Sequence, residues 1–436
     1  MHIYFMGIGG TGVGPLAIIA GQAGYEVSGS DLNESEYTKN LQKMGLSVTI
    51  GDPSIDEMST AHANKPIDWV VSVSAIIRQK PDHPVFMFAR ENNIPITERD
   101  VCLNRILTDK KLKIIAAAGT HGKTTTTAMF VWAFKQLGIP ISYSVGAKMS
   151  FADMGHFDPN SEYFVYECDE FHRNFLHYNP YLSVISGVTW DHHEVFPTRE
   201  NYKDAFREFI SQTTTTILWD NDAQYLNLGA SATTMVLSSA DPEIETLEIP
   251  GKYNRRDGWL VVEALHSMTG QPKEKIIGIL NDFPGTSRRM EEISPGLFSD
   301  YAHTPEKIIG GLSVALEIAK KRDKDVVIVY EPLTNRRQHF MKDDYKNCFA
   351  GAHRVYWVPS YLAREDPEQE VLSPAQLISH LDDPSIAVPA EPGEDLWNAI
   401  SQELGDSIVV CMSGGGGKSL DEWLRAQVRS RSAPRG

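Results

Sequence analysis

Short apolar runs along this chain repeatedly stop at glycine-rich or acidic turns, and stretches with helical apolar spacing follow them. Residues 2–6, HIYFM, form the first run and end at Gly7, Gly9, Gly10, Gly12 and Gly14. In LAIIAGQAGYEVSGSD the apolar positions keep helical spacing up to Gly24, and YEVSGSD then predicts a second strand. IDWVVSVSAI predicts another buried strand before a polar turn from Arg78 to Pro81, and FMFARENNIPITERD predicts a helix entering a short strand. The polar segment LTDKKLK closes a first domain near residue 107. The pattern then restarts, with a strand through Ile114 and Ile115 and an apolar helix through Met129, Val131 and Phe134. YFVYE, YLSVISGV, LFSD, VVIVYEP and DSIVVCMS predict further strands, with helices over DGWLVVEALHSMTG and TPEKIIGGLSVAL. RSRSAPRG reads as a frayed tail. Alternation of this kind predicts an α/β protein with largely parallel sheets.

The chain has 436 residues, of which 42% are apolar and 22% charged, so it is long enough for two or three packed domains and too apolar for a disordered chain. Its 41 Lys and Arg against 57 Asp and Glu give a net charge of −16, which argues against a nonspecific polyanion binder but leaves room for local phosphate pockets. The four cysteines, Cys102, Cys168, Cys348 and Cys411, lack paired spacing and predict neither a disulfide framework nor a zinc ribbon. There is no secretory leader pattern and no run of about eighteen apolar residues, so a soluble cytoplasmic protein without membrane insertion or nucleic-acid partner is expected.

The glycine cluster at 7–14 stands between a strand and a helix, where bare backbone lets amides approach a phosphate. Asp31, about twenty residues further on, stands where a dinucleotide fold places its ribose-binding acid, so NAD is the first reading and a tight structural turn the alternative. The sharpest signal is Gly119-Thr120-His121-Gly122-Lys123-Thr124-Thr125 between strand and helix. Its amides suit phosphate oxygens, Lys123 is a mobile cation for the β and γ phosphates, and the Thr124 hydroxyl suits magnesium; the full Walker pattern would want glycine at Ala117. ECDE carries Glu167, Asp169 and Glu170 to a strand end, where Glu167 is the favoured magnesium ligand and Asp169 and Glu170 otherwise read as solvated helix caps. In TWDHHE, His192 or His193 reads as an ion or phosphate contact, or as a surface histidine pair. Arg288 and Arg289 form a local cationic pair or a solvated turn, and Gly414–Gly417 with Lys418 lack P-loop order and read as a flexible turn.

Together GIGGTGVG, GSD, SAI, GTHGKTTT, ECDE and DHHE resemble the Mur ligase family, ATP-dependent amide ligases of peptidoglycan precursor synthesis. The resemblance implies three domains: a Rossmann-like UDP-sugar-binding domain at 1–107, a central P-loop ATPase-like domain at 108–278, and a Rossmann-like amino acid-binding and closure domain at 279–436. It replaces the NAD reading, because Gly9, Gly10, Thr11, Gly12, Asp31 and Ser74 then hold the UDP part of a sugar nucleotide. It implies ATP and Mg2+ as cofactors, with Lys123 on phosphate, Thr124 and Glu167 on magnesium and His192 near a second ion, without a lysine carbamate. Asn254 is implied at adenine, with Asp257 replacing a usual asparagine, and Arg288 in a substrate or closure contact. Lys123, Asp300, His303 and Arg337 form the implied catalytic set, Asp300 and His303 lying on the amino acid and phosphate side. The implied reaction joins the carboxylate of UDP-N-acetylmuramate to L-alanine through an acyl phosphate, in a monomer or weak homo-oligomer. Glu331, Leu333, Asn335 and Thr304 depart from the alanine-adding pattern and leave a second acceptor open, the recycled L-Ala-γ-D-Glu-meso-diaminopimelate tripeptide. A nucleotide-binding regulator without ligation is the alternative of another class.

Overall fold

The computed structural model describes residues 1–192, 195–362 and 365–432. Three sheets organise them. In the first, the strands Ser47–Ile50, Glu26–Asp31, His2–Met6, Trp69–Ser72 and Ile96–Glu98 lie side by side, all parallel. His2–Met6 is buried along its whole length, as a central strand of a covered parallel sheet must be. Strand order reverses around it, so the glycine turn that follows Met6 opens at the switch point of the sheet.

The second sheet runs Thr234–Leu237, Thr215–Trp219, Leu182–Ile185, Lys113–Ala118, Tyr163–Glu167, Ser142–Ser144 and Gly155–His156, and only the last pair is antiparallel. Ala117 is paired with Glu167 and Ala118 with Ile185, so the loop after Ala118, the acids after Glu167 and the loop after Ile185 leave the sheet at one edge. The third sheet runs Glu291–Ser294, Leu297–Asp300, Ser407–Ser413, Asp325–Glu331, Arg354–Trp357 and Ala387–Pro389, with an antiparallel first pair. Ser407–Ser413 is buried at every position.

Chain contacts divide the protein into two compact units, Met1–Leu247 with Asp257–Phe283, and Glu248–Arg256 with Pro284–Gly436. The first two sheets belong to the first unit and the third sheet to the second. Two expectations change. SAI is not the end of a strand, because Ser74–Gln79 is a helix that begins one residue after Trp69–Ser72. Residues 429–432 of the expected tail close the helix Leu420–Ser432, whereas 433–436 lie outside the described residues.

One face of the third sheet is built on aromatic rings. Trp357 is fully buried, with centroids of Tyr330, Tyr345 and Phe349 at 4.9, 5.1 and 5.5 Å in edge-to-face contact. We expect Trp357→Ala to cost about 3–5 kcal/mol of stability, read from the urea-unfolding midpoint of the tryptophan-independent circular dichroism signal. A loss below about 1 kcal/mol would mean that this cluster is not close-packed.

Candidate phosphate and sugar-nucleotide site

Strand Lys113–Ala118 delivers the chain into a loop that closes on the helix Lys123–Gln136. Gly122 has φ +77°, a left-handed conformation open to glycine at little cost, and it aims the first helical amides toward the loop. Ala117 lies inside the buried strand, before the loop begins, so its methyl group is part of the strand and not of the loop. A side chain on Gly122 would meet the Asp257 carboxylate, whose oxygens lie 2.5 and 2.8 Å from the Cβ position. Asp257 is itself buried beneath the loop. The loop is braced from behind: the Thr120 hydroxyl donates to the Thr189 carbonyl at 2.7 Å and lies 2.8 Å from the Tyr202 hydroxyl, and the Ser186 hydroxyl donates to the His121 carbonyl.

Lys123 Nζ donates to the Gly119 carbonyl at 2.6 Å and to Glu170 Oε2 at 2.8 Å, with Asp169 at 4.0 Å. Burial disfavours its charge, yet the fields of Glu170 and Asp169 outweigh that effect and raise its pKa above the ordinary lysine value. Glu170 is fully buried and also accepts from the Tyr202 hydroxyl at 3.3 Å, so it is no solvated cap. The Thr124 hydroxyl lies 3.0 Å from both Glu167 oxygens. Asp169, Glu170 and His192 bring ligand atoms within 4.8 Å of one another, and His192 Nε2 lies 3.7 Å from Glu170 Oε1. Carboxylate and hydroxyl oxygens at a phosphate loop fit a hard divalent ion such as Mg2+. His193 lies outside the described residues.

In the first sheet's glycine turn, Gly10 and Thr11 are exposed and Gly9 and Gly12 half-buried. The Gly9 amide donates to Asp31 Oδ2 at 2.9 Å, so Asp31 pins the turn as well as standing at the edge of it. Ser74 opens the helix that follows the neighbouring strand. A cleft of about 170 Å³ is lined by Thr11 and Gly12 from this turn, Arg99 and Asp100 from the start of the helix Arg99–Asp109, and Glu167 and Asp169 from the phosphate-loop edge. Arg99, Asp100 and Tyr202 were not singled out from the sequence, where an Arg-Asp pair at a strand end was the available signal; Glu170 was named with Glu167 and Asp169, but as a solvated cap rather than as the buried partner of Lys123.

The second compact unit holds the other expected residues. His303 is buried; its Nδ1 lies 3.1 Å from the Tyr301 carbonyl, which can only accept, so Nδ1 carries the proton and Nε2 the lone pair. Burial, with the charges of Lys307, Arg337 and Arg289, holds its pKa well below the ordinary histidine value. Burial pushes the Asp300 carboxyl up to about 6 against the pull of Arg289. Arg337 is exposed in the helix Asn335–Met341. Arg288 donates to the carbonyls of Ser413 and Gly415 at 2.7 and 2.9 Å, so its guanidinium braces the glycine turn 414–417. Asn254 donates to the Pro250 carbonyl at 2.8 Å. Lys123 therefore lies in one unit and Asp300, His303 and Arg337 in the other.

Residues 2–111 match the family model "Mur ligase family, catalytic domain" and residues 117–253 "Mur ligase middle domain". A UDP-N-acetylmuramate–L-alanine ligase of Clostridium novyi is 30% identical over 398 residues, 83% of this chain and 83% of that one. The solved UDP-N-acetylmuramate-alanine ligase of Thermotoga maritima shares the fold with a TM-score of 0.77 at 23% identity, over 99% of each chain. A murein peptide ligase of Psychrobacter arcticus does so with a TM-score of 0.63 at 22% identity, over 98% of each. With phosphate loop, acidic strand end and glycine turn arranged as described, this chain belongs to the Mur ligase family.

Proposed function

We propose that this protein joins the carboxylate of UDP-N-acetylmuramate to L-alanine, using ATP and Mg2+, in the cytoplasmic steps of peptidoglycan precursor synthesis. Among the described residues no helix is long and apolar enough to cross a membrane, which fits such a location. In this reading residues 1–107 hold the UDP-sugar, 108–278 ATP, and 279–436 the amino acid, in a monomer or weak homo-oligomer. The observation that supports it most is the paired arrangement of Lys123 with Glu170 and Thr124 with Glu167 at one sheet edge, in a chain 30% identical to a ligase of this name.

A free carboxylate is a poor acyl donor because oxide is a poor leaving group. ATP, when bound, supplies the phosphoryl group that converts the acid to an acyl phosphate, and Mg2+ screens the phosphate charge. Lys123 and the Gly119–Thr125 loop hold phosphate oxygens, with Thr124, Glu167 and His192 offered to metal and Asn254 and Asp257 to the nucleotide side. Arg337, near His303, binds the amino acid's carboxylate, and Asp300 its ammonium. His303 Nε2, the unprotonated ring nitrogen, is offered to the amine as a hydrogen-bond acceptor.

The test is ATP consumption and product mass with UDP-N-acetylmuramate and, separately, L-alanine, glycine, L-serine and the L-Ala-γ-D-Glu-meso-diaminopimelate tripeptide. L-Alanine is expected to give the highest kcat/KM. A higher value for the tripeptide would move the protein to the recycling reaction, and no phosphate release with any amine would refute ligation. Lys123→Ala should lower product formation by about 10³-fold or more while sugar-nucleotide binding persists; undiminished turnover would remove Lys123 from the phosphate site.

Asp300 supplies a pH signature. Its carboxyl is raised from 3.8 to about 6, so the folded state binds the extra proton. Its stabilising contribution is full below the unfolded value and is lost as pH rises through the folded one. Wild type should therefore gain stability on acidification between about 6 and 3.8 relative to Asp300→Asn. Parallel profiles of the urea midpoint for the two proteins across this window would show that Asp300 is not perturbed as described.

A further inference from the structure

Arg99 lies at the first position of the helix Arg99–Asp109, on the wall of the cleft between the glycine turn and the acidic strand end. Its side chain is 30% exposed, and Nε lies 3.5 Å from Asp100 Oδ2. Among the described residues this is its single ion pair and its guanidinium makes no hydrogen bond, which leaves the terminal nitrogens of the fork for a ligand. Gly12 makes the approach possible: a Cβ there would stand 2.2 Å from Arg99 Nη1, so any side chain at position 12 would push the guanidinium aside.

Asp100 is buried at 3% exposure and is held from the far side. The Tyr178 and Tyr166 hydroxyls donate to its Oδ1 at 2.9 and 3.1 Å, leaving Oδ2 for Arg99. Burial keeps both phenols well above their ordinary pKa, so each remains a donor. Burial disfavours the Arg99 charge, but the fields of Tyr166, Asp100, Tyr178 and Asp169 outweigh it. The two acids at the strand end, Glu167 and Asp169, face the same cleft, so an anion entering it needs a fixed cation more than it would in water.

We infer that Arg99 binds an anionic oxygen group of the sugar nucleotide in this cleft, and that Asp100, clamped by Tyr166 and Tyr178, positions it. The inference rests on the function proposed above. Two groups of such a ligand share the required chemistry, the diphosphate and the sugar-linked carboxylate, and a guanidinium fork suits both.

Calorimetric titration without ATP separates the cases, using UDP, UDP-N-acetylglucosamine and UDP-N-acetylmuramate as probes. Arg99→Met, checked for folding by its thermal melt, should weaken UDP-N-acetylmuramate binding about 10–100-fold. Equal loss for all three probes assigns the diphosphate; loss confined to UDP-N-acetylmuramate assigns the carboxylate. If Arg99→Met does not fold, Arg99→Lys serves, since it keeps the charge and loses the fork. Unchanged affinity of a folded Arg99 variant for all three overturns the inference, whereas failure of wild type to bind any of them overturns the proposed function itself. For the positioning role, Asp100→Asn should raise KM for UDP-N-acetylmuramate several-fold with KM for ATP unchanged, and Tyr166→Phe should act in the same direction. Equal changes in both KM values would reduce Asp100 to a packing residue.

Discussion

A lysine withdrawn from water keeps its charge only if an opposite charge is withdrawn with it, and the phosphate loop of this protein depends on that constraint. Lys123 is 13% exposed and Glu170 not at all, and they meet at 2.8 Å. Glu170 is in turn tied to Tyr202, Tyr202 to Thr120, and Thr120 to the chain at Thr189. The cation is thus fixed through residues on three strand-end loops and the helix Arg199–Gln212. Removing Glu170 would leave a buried charge with the more distant Asp169, at 4.0 Å, to offset it, a larger penalty than the pair's own net contribution.

Much of this was legible from the chain. Glycines flanked by a strand and a helix announced both loops, because close backbone approach and left-handed φ have few other solutions. Glu167 could be placed because its apolar strand is short and ends on the acid. What escaped was set by tertiary pairing. The strand Ser47–Ile50 alternates polar and apolar residues but is only four residues long and largely exposed, and Gly155–His156 is two residues long; each is too short to stand out by its own pattern and is defined by its neighbour in the sheet. SAI followed an apolar strand without a polar break and so read as part of it, whereas its turn into a helix is made by backbone bonds from Ile76 and Ile77 to the Val73 carbonyl. Glu170 and Asp169 look alike in sequence, yet one is buried and the other partly exposed.

The residues that made the acceptor ambiguous acquire a different meaning in the folded unit. Glu331 is buried, accepting from the Ser413 hydroxyl at 2.7 Å and the Leu420 amide at 3.0 Å, so it ties the end of one strand to the glycine turn beyond the next. Asn335 is 1% exposed; it donates to the Glu370 carbonyl and accepts from the Leu372 amide, both at 2.8 Å. Both side chains are occupied by hydrogen bonds that anchor nearby chain segments. Substitution at such positions reports how a loop is anchored, and it discriminates poorly between a single amino acid and a peptide as acceptor. In the function proposed above, selectivity for the amine is then left to other side chains, and exposed Arg337 is our candidate.

The division of charged groups between the two compact units has a chemical consequence. Lys123, Thr124 and Glu167 are organised by bonds inside the first unit, and His303, Arg288 and Glu331 by bonds inside the second. Each set is therefore preorganised by bonds of its own unit. In the function proposed above, a sugar nucleotide anchored at the glycine turn would run past Arg99 to the acidic strand end along a cleft that lies wholly within the first unit, so a long substrate with a fixed anchor suits this site better than a free small acid.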